Sequence, residues 1–275
     1  MSLSSKRINE LQEICHKCRR ELIDILYPIQ TGHPGGSLSC TEIITILFFE
    51  KMNINSSDMK MEGRDRFILS KGHAAPMLYI NMAYKGYFDK DDLQSLRQIG
   101  SHLQGHPCLH KTPGVELSTG SLGLGLSAGL GMALSERLCN RNGYVYVLLG
   151  DGEIQEGIVW EAAMSGNKFK ADNLIAILDN NGVQLDGTLQ EIMPLGDIGS
   201  KWASFGWNVI NVDGHNIAAL SDAIDEAKLH KGSPTIIIAD TIKGKGISFM
   251  EGKNCWHGKP IADSEYQMAI KELNV

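Results

Sequence analysis

Acidic and amide side chains flank a strand, helix and strand unit in the stretch GDGEIQEGIVWEAAMSGNKFKADNLIAILDNNGV. Asp151 follows the apolar segment 144–149, and Asn180 and Asn181 follow a second apolar segment, 173–178. Because neighbouring parallel strands end on the same edge of a sheet, we expect the two loops to meet and share a ligand. Either loop on its own would be explained equally well as an ordinary turn.

The groups in these two loops form a set of hard oxygen ligands. The carboxylate of Asp151, the amide oxygen of Asn181 and the backbone carbonyl of Val183 suit Mg²⁺, and Ca²⁺ or Mn²⁺ can substitute. Mg²⁺ normally completes such a set with phosphate oxygens and water. Gly150 and Gly152 let the backbone approach a bulky anion, and the next helix presents its positive end there. The sequence therefore predicts a metal-bridged diphosphate site.

A nucleotide diphosphate would satisfy the same chemistry, but its usual motifs are missing from the sequence. There is no G-x-x-x-x-G-K-[ST] segment, and the glycines of GSLGLGLSAGLG follow a polar loop instead of a strand. A lone Gly-Asp-Gly is a weak signal, and the double asparagine after the next apolar strand strengthens it. The small residues of the GSLGLGLSAGLG segment predict a tightly packed helix.

Apolar strands alternate with helical segments along the chain. YVYVLLG, NLIAILD, WNVINVDG and PTIIIADT read as strands, RFIL as a shorter one, and NIAALSDAIDEAKLHK as an amphipathic helix. Residues 39–50 read as a buried helix. Continuously apolar strands separated by helices are typical of a parallel sheet covered on both faces. We predict one doubly wound α/β domain over residues 1–275, with ligands beyond the carboxyl ends of the strands.

Composition excludes several classes of protein. The chain of 275 residues is 43% hydrophobic and 21% charged and carries a formal charge of −6, without a basic cluster. This composition argues against nucleic acid or an anionic membrane as a partner. Apolar runs such as IITILFF are far shorter than the roughly 20 residues that span a membrane. The amphipathic first segment is no secretory signal, so we expect a cytoplasmic protein.

Cys15 and Cys18 form a C-x-x-C pair, which can serve zinc or redox chemistry. Here the pair lies within the helical pattern of the first segment, and no second pair follows at ligand spacing. We therefore interpret both as core-facing thiols, and we expect no disulfides.

Seven motifs occur in the order found in transketolases: TGHPGG, SKGHAAP, GHP, STGSLGLGL, GDGEIQEG, LDNNGV and KGKG followed by WHGKP. Over nearly its whole length the chain resembles the N-terminal, thiamine diphosphate-binding (PP) domain of that family. Most members continue into a pyrimidine-binding domain and a C-terminal domain, which no segment here resembles. The resemblance implies the N-terminal subunit of a split transketolase, with thiamine diphosphate and Mg²⁺ as cofactors.

The implied reaction transfers a two-carbon ketol unit from a ketose phosphate to an aldose phosphate, as in the pentose phosphate pathway. The implied partners are sugar phosphates and a C-terminal subunit that carries the two other domains. We also expect a homodimer core, because a surface normally covered by that subunit would expose apolar area. Alone, the chain should be inactive and bind the cofactor weakly.

The resemblance also assigns roles to individual residues of this sequence. Catalytic roles fall on three histidines: His33 and His106 would contact the sugar, and His257 would lie near the reacting carbon. Cofactor contacts would come from His73, Gly120, Ser121, Leu122, Gly152, Glu153, Asn181, Lys243 and His257. The metal ligands would be Asp151, Asn181 and Val183, and Glu156 would lie at a subunit contact.

Several of these residues have simpler interpretations. Glu156 is equally typical of the solvated face of a helix, and the STGSLG segment of a helix start packed through small residues. His102 and His110 are interpreted as structural, as is His215. A metal site formed by His102, His106 and His110 is rejected, since Gly105 and Pro107 are incompatible with a regular helix there.

Two other functions remain open at this point. The chain resembles, more weakly, half of another thiamine diphosphate enzyme, either the α subunit of a 2-oxo acid dehydrogenase or a deoxyxylulose phosphate synthase; TGHPGGSLS, KGHAAP and WHGKP favour transketolase. The second open function is that of a non-catalytic homologue that only binds a diphosphate. Such a protein would not need His33 or His106, the histidines expected to face the sugar.

Overall fold

A five-stranded parallel sheet forms the centre of the protein, which we describe over residues 3–274 from a computed structural model. Its strands are β1 (Arg66–Leu69), β2 (Val145–Gly150), β3 (Leu174–Asn180), β4 (Asn208–Asp213) and β5 (Thr235–Asp240). They lie in the order β1-β2-β3-β5-β4, and every neighbouring pair is parallel. The neighbouring strands β2 and β3 are largely apolar, apart from Asp179 and Asn180 at the end of β3, because both faces of the sheet are covered.

Helices cover both faces, as the sequence predicts. The α-helices are α1 (Ser5–Ile29), α2 (Pro34–Ser39), α3 (Thr41–Ile46), α4 (Ala75–Lys85), α5 (Leu124–Leu138), α6 (Gly157–Lys168), α7 (Leu189–Ile192), α8 (Ile198–Ser204), α9 (Ile217–Leu229) and α10 (Asp263–Glu272). α1, α3, α4, α9 and α10 pack on the face that carries Tyr146 and Leu148. α5, α6 and α8 pack on the opposite face, against Val147. Between residues 3 and 274, no helix combines the length and apolar character that crossing a bilayer requires.

Helix boundaries differ from the predictions in several places. The predicted helix 39–50 corresponds to α3 and the π-helical turn Leu47–Lys51, and the separate short helix α2 precedes it and ends at Ser39. The sequence patterns did not reveal α7, α8 or α10, because the first two span only 4 and 7 residues and α10 buries little besides Ala269. Short or mostly exposed helices carry too few apolar residues to show a period.

The C-x-x-C pair lies on the buried face of α1. Cys15 is 2% exposed and Cys18 is fully buried, so the prediction of two core-facing thiols is confirmed. Burial raises the pKa of Cys15 to about 12 and raises that of Cys18 as well. Both side chains are therefore protonated at neutral pH and act as small apolar groups.

The glycine-rich helix α5 packs closely on the sheet, as its small residues predict. A Cβ at Gly129 would lie only 2.5 Å from Cγ2 of Val147 in β2. At Gly125, two residues into the helix, a Cβ would overlap the side chain of Ser70. Because glycine has no side chain at these two positions, the first turn of α5 and the preceding STGSLG segment can pack against the ends of β1 and β2.

Alanine substitutions along α5 should shift stability in opposite directions. Gly129→Ala forces an extra carbon against Val147, and we expect a loss of about 1–3 kcal/mol in the free energy of unfolding. Gly131→Ala, in the same helix, places its methyl group in open space, and we expect a gain of about 0.5–1 kcal/mol. Urea denaturation of both variants measures the difference; a shift of the same sign would contradict the packing described here.

Candidate cofactor and active site

A cavity of about 310 Å³ lies at the carboxyl edge of the sheet. Its walls come from the loops that follow β1, β2, β3 and β5, together with Gly36 of α2 and Leu122, which precedes α5. Among its lining residues are most of those predicted from the sequence to bind cofactor or metal, namely His73, Leu122, Asp151, Gly152, Glu153, Asn181, Val183, Lys243 and His257. The loops at the carboxyl ends of the strands thus converge, as the sequence predicts. The volume of the cavity falls in the range typical of small-molecule sites.

The loops that carry Asp151 and Asn181 are in direct contact. Oδ2 of Asp151 accepts a hydrogen bond of 2.5 Å from the amide of Gly182, and Oδ1 accepts one of 2.8 Å from that of Gly152. Asn181 Oδ1 accepts from the amide of Val183 at 3.1 Å. Burial, reinforced by the charge of a neighbouring aspartate, raises the pKa of Asp151 to about 6. A buried carboxylate with so little compensating charge is well suited to binding a cation.

The carbonyl of Val183 already contacts a positive charge. Nζ of Lys243 donates a hydrogen bond of 2.9 Å to this oxygen and lies 3.0 Å from Nδ1 of His257. Burial lowers the pKa of Lys243 to about 8, so the ammonium form still predominates at neutral pH. The predicted metal ligand and the predicted phosphate-binding lysine are therefore neighbours.

A buried ion pair joins Lys71, which lines the cavity, to Asp179 at the end of β3. Both are almost fully buried, and Asp179 also accepts hydrogen bonds from Ser39, Thr241 and Asn181. Burial alone would lower the pKa of Lys71, but the charge of Asp179 outweighs it and holds the pKa above its usual value. Lys71 in turn holds the pKa of Asp179 below its usual value in spite of burial. This pair locks the end of β3 to the loop after β1.

Both carboxylate oxygens of Glu153 accept hydrogen bonds from other residues of the protein. Oε1 accepts from Ser70 Oγ and, at 2.8 Å, from the amide of Gly123; Oε2 accepts from the amide of Gly150 at 2.9 Å. The side chain is 2% exposed. It joins the loops after β1 and β2 to the start of α5, which shapes the wall of the cavity.

Four histidines from separate loops form a cluster. The ring of His33 lies 5.4 Å from that of His73, 5.3 Å from that of His257 and 6.3 Å from that of His106, measured between centroids. His73 and His257 line the cavity, and His33 and His106 extend the cluster outward from it. Among the described residues, the buried Nδ1 of His33 has no hydrogen-bond partner.

The four clustered histidines are neutral near pH 7. Burial, reinforced by nearby positive charges, lowers the pKa of His33 to about 4 and that of His257 to about 3. It also lowers the pKa values of His73 and His106. A neutral imidazole can both donate and accept a hydrogen bond, as recognition of sugar hydroxyls and a carbonyl requires.

The STGSLG segment packs between the histidine cluster and β1. Thr119 Oγ1 donates to the carbonyl of Leu69 at 2.7 Å, and a Cβ at Gly120 would lie 3.2 Å from the ring of His106. Ser121 is exposed and Leu122 lines the cavity. Glu156 also borders the cavity, and its side chain is exposed. The structure thus shows a packed helix start, and contact of this segment with a ligand stays a prediction.

Comparison with known proteins decides between the enzyme families. The model of the transketolase, thiamine diphosphate binding domain matches residues 11–274. The chain belongs to the transketolase family. It is 39% identical to an apulose-4-phosphate transketolase subunit of Phocaeicola vulgatus, covering 98% of this chain and 95% of that protein. It is 40% identical to a 6-deoxy-6-sulfo-D-fructose transketolase subunit of a Clostridium species, with 96% of each covered.

Full-length transketolases match over less than half of their length. Human transketolase is 41% identical over 98% of this chain and 42% of its own. The transketolase of Pichia stipitis, solved in complex with sedoheptulose 7-phosphate, superposes with a TM-score of 0.92 at 33% identity, covering 96% of this chain and 40% of that one. In length and sequence, this transketolase chain matches the N-terminal subunit of a two-subunit enzyme.

Sequence reasoning missed several residues that shape the candidate site. Lys71 stands inside the SKGHAAP motif, so its position next to a recognised histidine was a usable signal. In the sequence, Asp179 stands at the end of an apolar strand and gives no sign of a special role. Only the structure shows that it pairs with the buried Lys71. Arg97, in the left-handed region at a φ of 60°, donates to Gly105 O and Thr31 Oγ1. Burial is the main reason that the pKa of His106 is lowered, and the charge of Arg97 adds to it. Arg97 brings a positive charge beside the histidines.

Proposed function

We propose that this chain is the cofactor-anchoring subunit of a transketolase composed of two polypeptides. It would transfer a two-carbon ketol unit between sugar phosphates once its partner is bound. The observation that carries the proposal is the cavity that joins Asp151, Asn181 and Val183 to Lys243 and the histidine cluster. Support comes from relatives of matching length that are named as transketolase subunits.

The residues of the cavity fit thiamine diphosphate and a divalent ion. Asp151, Asn181 and Val183 offer the hard oxygen ligands that Mg²⁺ prefers, and Val183 O already accepts from an ammonium group. Gly36 lines the cavity, where a Cβ would lie 3.2 Å from His73 Nε2 and narrow the space. We infer that Lys243, His73 and the amides after β2 would hold the diphosphate, and that Asp151, Asn181 and Val183 would hold the metal.

The remaining residues would act on the sugar. When bound, thiamine diphosphate supplies the nucleophilic carbon and the electron sink needed to break the carbon–carbon bond. His33 and His106 would hold the hydroxyls and carbonyl of the ketose, for which the unpartnered Nδ1 of His33 is available. His257, between Lys243 and His33, would hold or move a proton at the reacting carbonyl oxygen. Gly120, Ser121 and Leu122 would contact the cofactor's aminopyrimidine ring, and Glu156 the partner.

The partner would supply what this chain does not offer in the cavity. We propose a second subunit with the pyrimidine-binding and C-terminal domains, which contributes groups for the pyrimidine ring and the sugar phosphate. Active sites between subunits imply at least two copies of each chain, arranged on a homodimer of this one. The assembly would work in the cytoplasm.

Reconstitution tests the function directly. The purified chain, given thiamine diphosphate, Mg²⁺, xylulose 5-phosphate and an aldose phosphate, should show no measurable ketol transfer, because the proposed partner would supply further groups for the pyrimidine ring and those for the sugar phosphate. Adding a co-purified second subunit should restore transfer, with pyruvate as a control donor that gives no product. Full activity of the single chain would refute the two-subunit proposal, and turnover of pyruvate would favour another enzyme of the cofactor class.

A substitution at His106 separates catalysis from simple binding. Because His106 lies outside the cavity wall, His106→Ala should leave the affinity for thiamine diphosphate intact. We expect turnover of the reconstituted complex to fall about a hundredfold, as a hydrogen-bonding group near the reacting carbonyl is lost. His110→Ala, an exposed histidine of the same loop region, provides the control. Unchanged turnover in His106→Ala would favour a non-catalytic diphosphate-binding protein.

A further inference from the structure

Three side chains from distant parts of the chain form a buried network behind the cavity. Arg19 belongs to α1, Glu42 to α3, and His215 to the loop between β4 and α9. Arg19 and Glu42 are each 7% exposed, and the side chain of His215 is 13% exposed. They do not line the cavity, yet they surround the base of the loop 241–246 that carries Lys243.

The network holds this loop at two backbone positions. Nη2 of Arg19 donates to both oxygens of Glu42, at 2.6 and 2.8 Å, and Nδ1 of His215 lies 3.0 Å from Glu42 Oε2. The amide of Ile242 donates to Nε2 of His215 at 2.9 Å. Nε of Arg19 donates to the carbonyl of Lys245 at 3.0 Å. The 241–246 loop is therefore held by hydrogen bonds on both sides of Lys243.

These contacts determine the tautomer of His215. Because the amide of Ile242 is a donor, Nε2 must accept and cannot carry a hydrogen. Nδ1 then carries the hydrogen and donates it to Glu42. Burial alone would raise the pKa of Glu42, but Arg19 and His215 outweigh it and the pKa is lowered, so the acceptor is a carboxylate. Each member of the network thus fixes the orientation of the next.

Close packing joins the same loop to α1. Gly246 adopts a φ of 93°, and a Cβ there would lie 2.9 Å from Cδ of Arg19. A buried ion pair contributes little net stability, because removing two charges from water offsets their attraction. A network of this kind is better explained by the backbone geometry that it imposes on the 241–246 loop. The functional side chain of that loop is Lys243, whose Nζ is 2.9 Å from Val183 O.

We propose that Arg19, Glu42 and His215 are positioning residues that hold the 241–246 loop so that Lys243 meets the cofactor diphosphate. The inference rests on the proposed function, since it concerns how this chain binds thiamine diphosphate. Loosening the network costs preorganisation of the lysine, so cofactor affinity falls. Turnover at saturating cofactor should be unchanged, because Arg19, Glu42 and His215 do not line the cavity.

Substitutions of His215 test this role. His215→Phe keeps the ring volume but removes both hydrogen bonds, whereas His215→Gln places an amide oxygen where Nε2 accepts from Ile242. Titration calorimetry of the native and variant chains, each with Mg²⁺ and the second subunit, should show about tenfold weaker binding of thiamine diphosphate for the phenylalanine variant. The glutamine variant should bind as the native chain does. His230→Phe, at the far end of α9, is the matched control and should have no effect.

The outcomes separate this inference from the proposed function. Native affinity in His215→Phe, or equal weakening in both His215 variants, overturns the positioning role. Should the phenylalanine variant fail to fold, hydrogen exchange at Ile242 in the native chain decides: the proposal requires protection that the glutamine variant retains, and exchange at the rate of an unbonded amide refutes it. If the native complex itself binds no thiamine diphosphate, the proposed function fails instead.

Discussion

Replacing Asp151 by asparagine should abolish metal-dependent binding of thiamine diphosphate by this chain. Asp151 is the only carboxylate among the three proposed metal ligands, and it is 3% exposed. The amide that replaces it carries no charge and turns an NH₂ group toward the amide of Gly182 or Gly152, both of which donate to the native carboxylate. We expect affinity to fall more than about a hundredfold, beyond the 10–100-fold typical of groups behind a metal ligand.

Calorimetric titration of Mg²⁺ and thiamine diphosphate into the chain with its second subunit gives this measurement. Asp222→Asn removes the same charge from an exposed position on α9 and should leave the affinity unchanged. Far-ultraviolet circular dichroism establishes that both variants are folded. Native affinity in Asp151→Asn would place the metal elsewhere and remove the main support for the proposed site.

Breaking the buried pair of Lys71 and Asp179 should cost more stability than any surface substitution. Lys71→Met leaves a fully buried carboxylate with three neutral donors and no cation. Loss of one partner from a buried ion pair typically costs about 3–5 kcal/mol, since the remaining charge is uncompensated. Part of this loss should return in the double variant Lys71→Met with Asp179→Asn, which removes the stranded charge.

Urea denaturation measures the effect, and an exposed ion pair provides the control. The side chain of Lys6 is 88% exposed and lies 4.0 Å from Glu10. Lys6→Met should change the free energy of unfolding by less than about 1 kcal/mol, as is usual for such pairs. Equal midpoints for Lys71→Met and the native chain would show that the buried pair does not hold β3 to the loop after β1.

The fold class and the location of the candidate site follow from the amino-acid sequence alone. Four apolar strands and their helices were readable because each pattern lies within one element. Asp151 and Asn181 directly follow strands of the predicted parallel sheet, so their meeting at one edge followed from topology. The transketolase motifs assigned the histidines, and the structure brings His33, His73, His106 and His257 together.

The support of these residues depends on tertiary packing. Lys71 and Asp179 are 108 positions apart, and His215 and Glu42 are 173 apart. No local pattern reports such pairs, because they arise only when helices and loops pack against one another. The same holds for Glu153, whose carboxylate accepts hydrogen bonds from Ser70 and Gly123, which lie 83 and 30 positions away. Local periodicity encodes which face of an element is buried, whereas the partner found there depends on the packing of the whole chain.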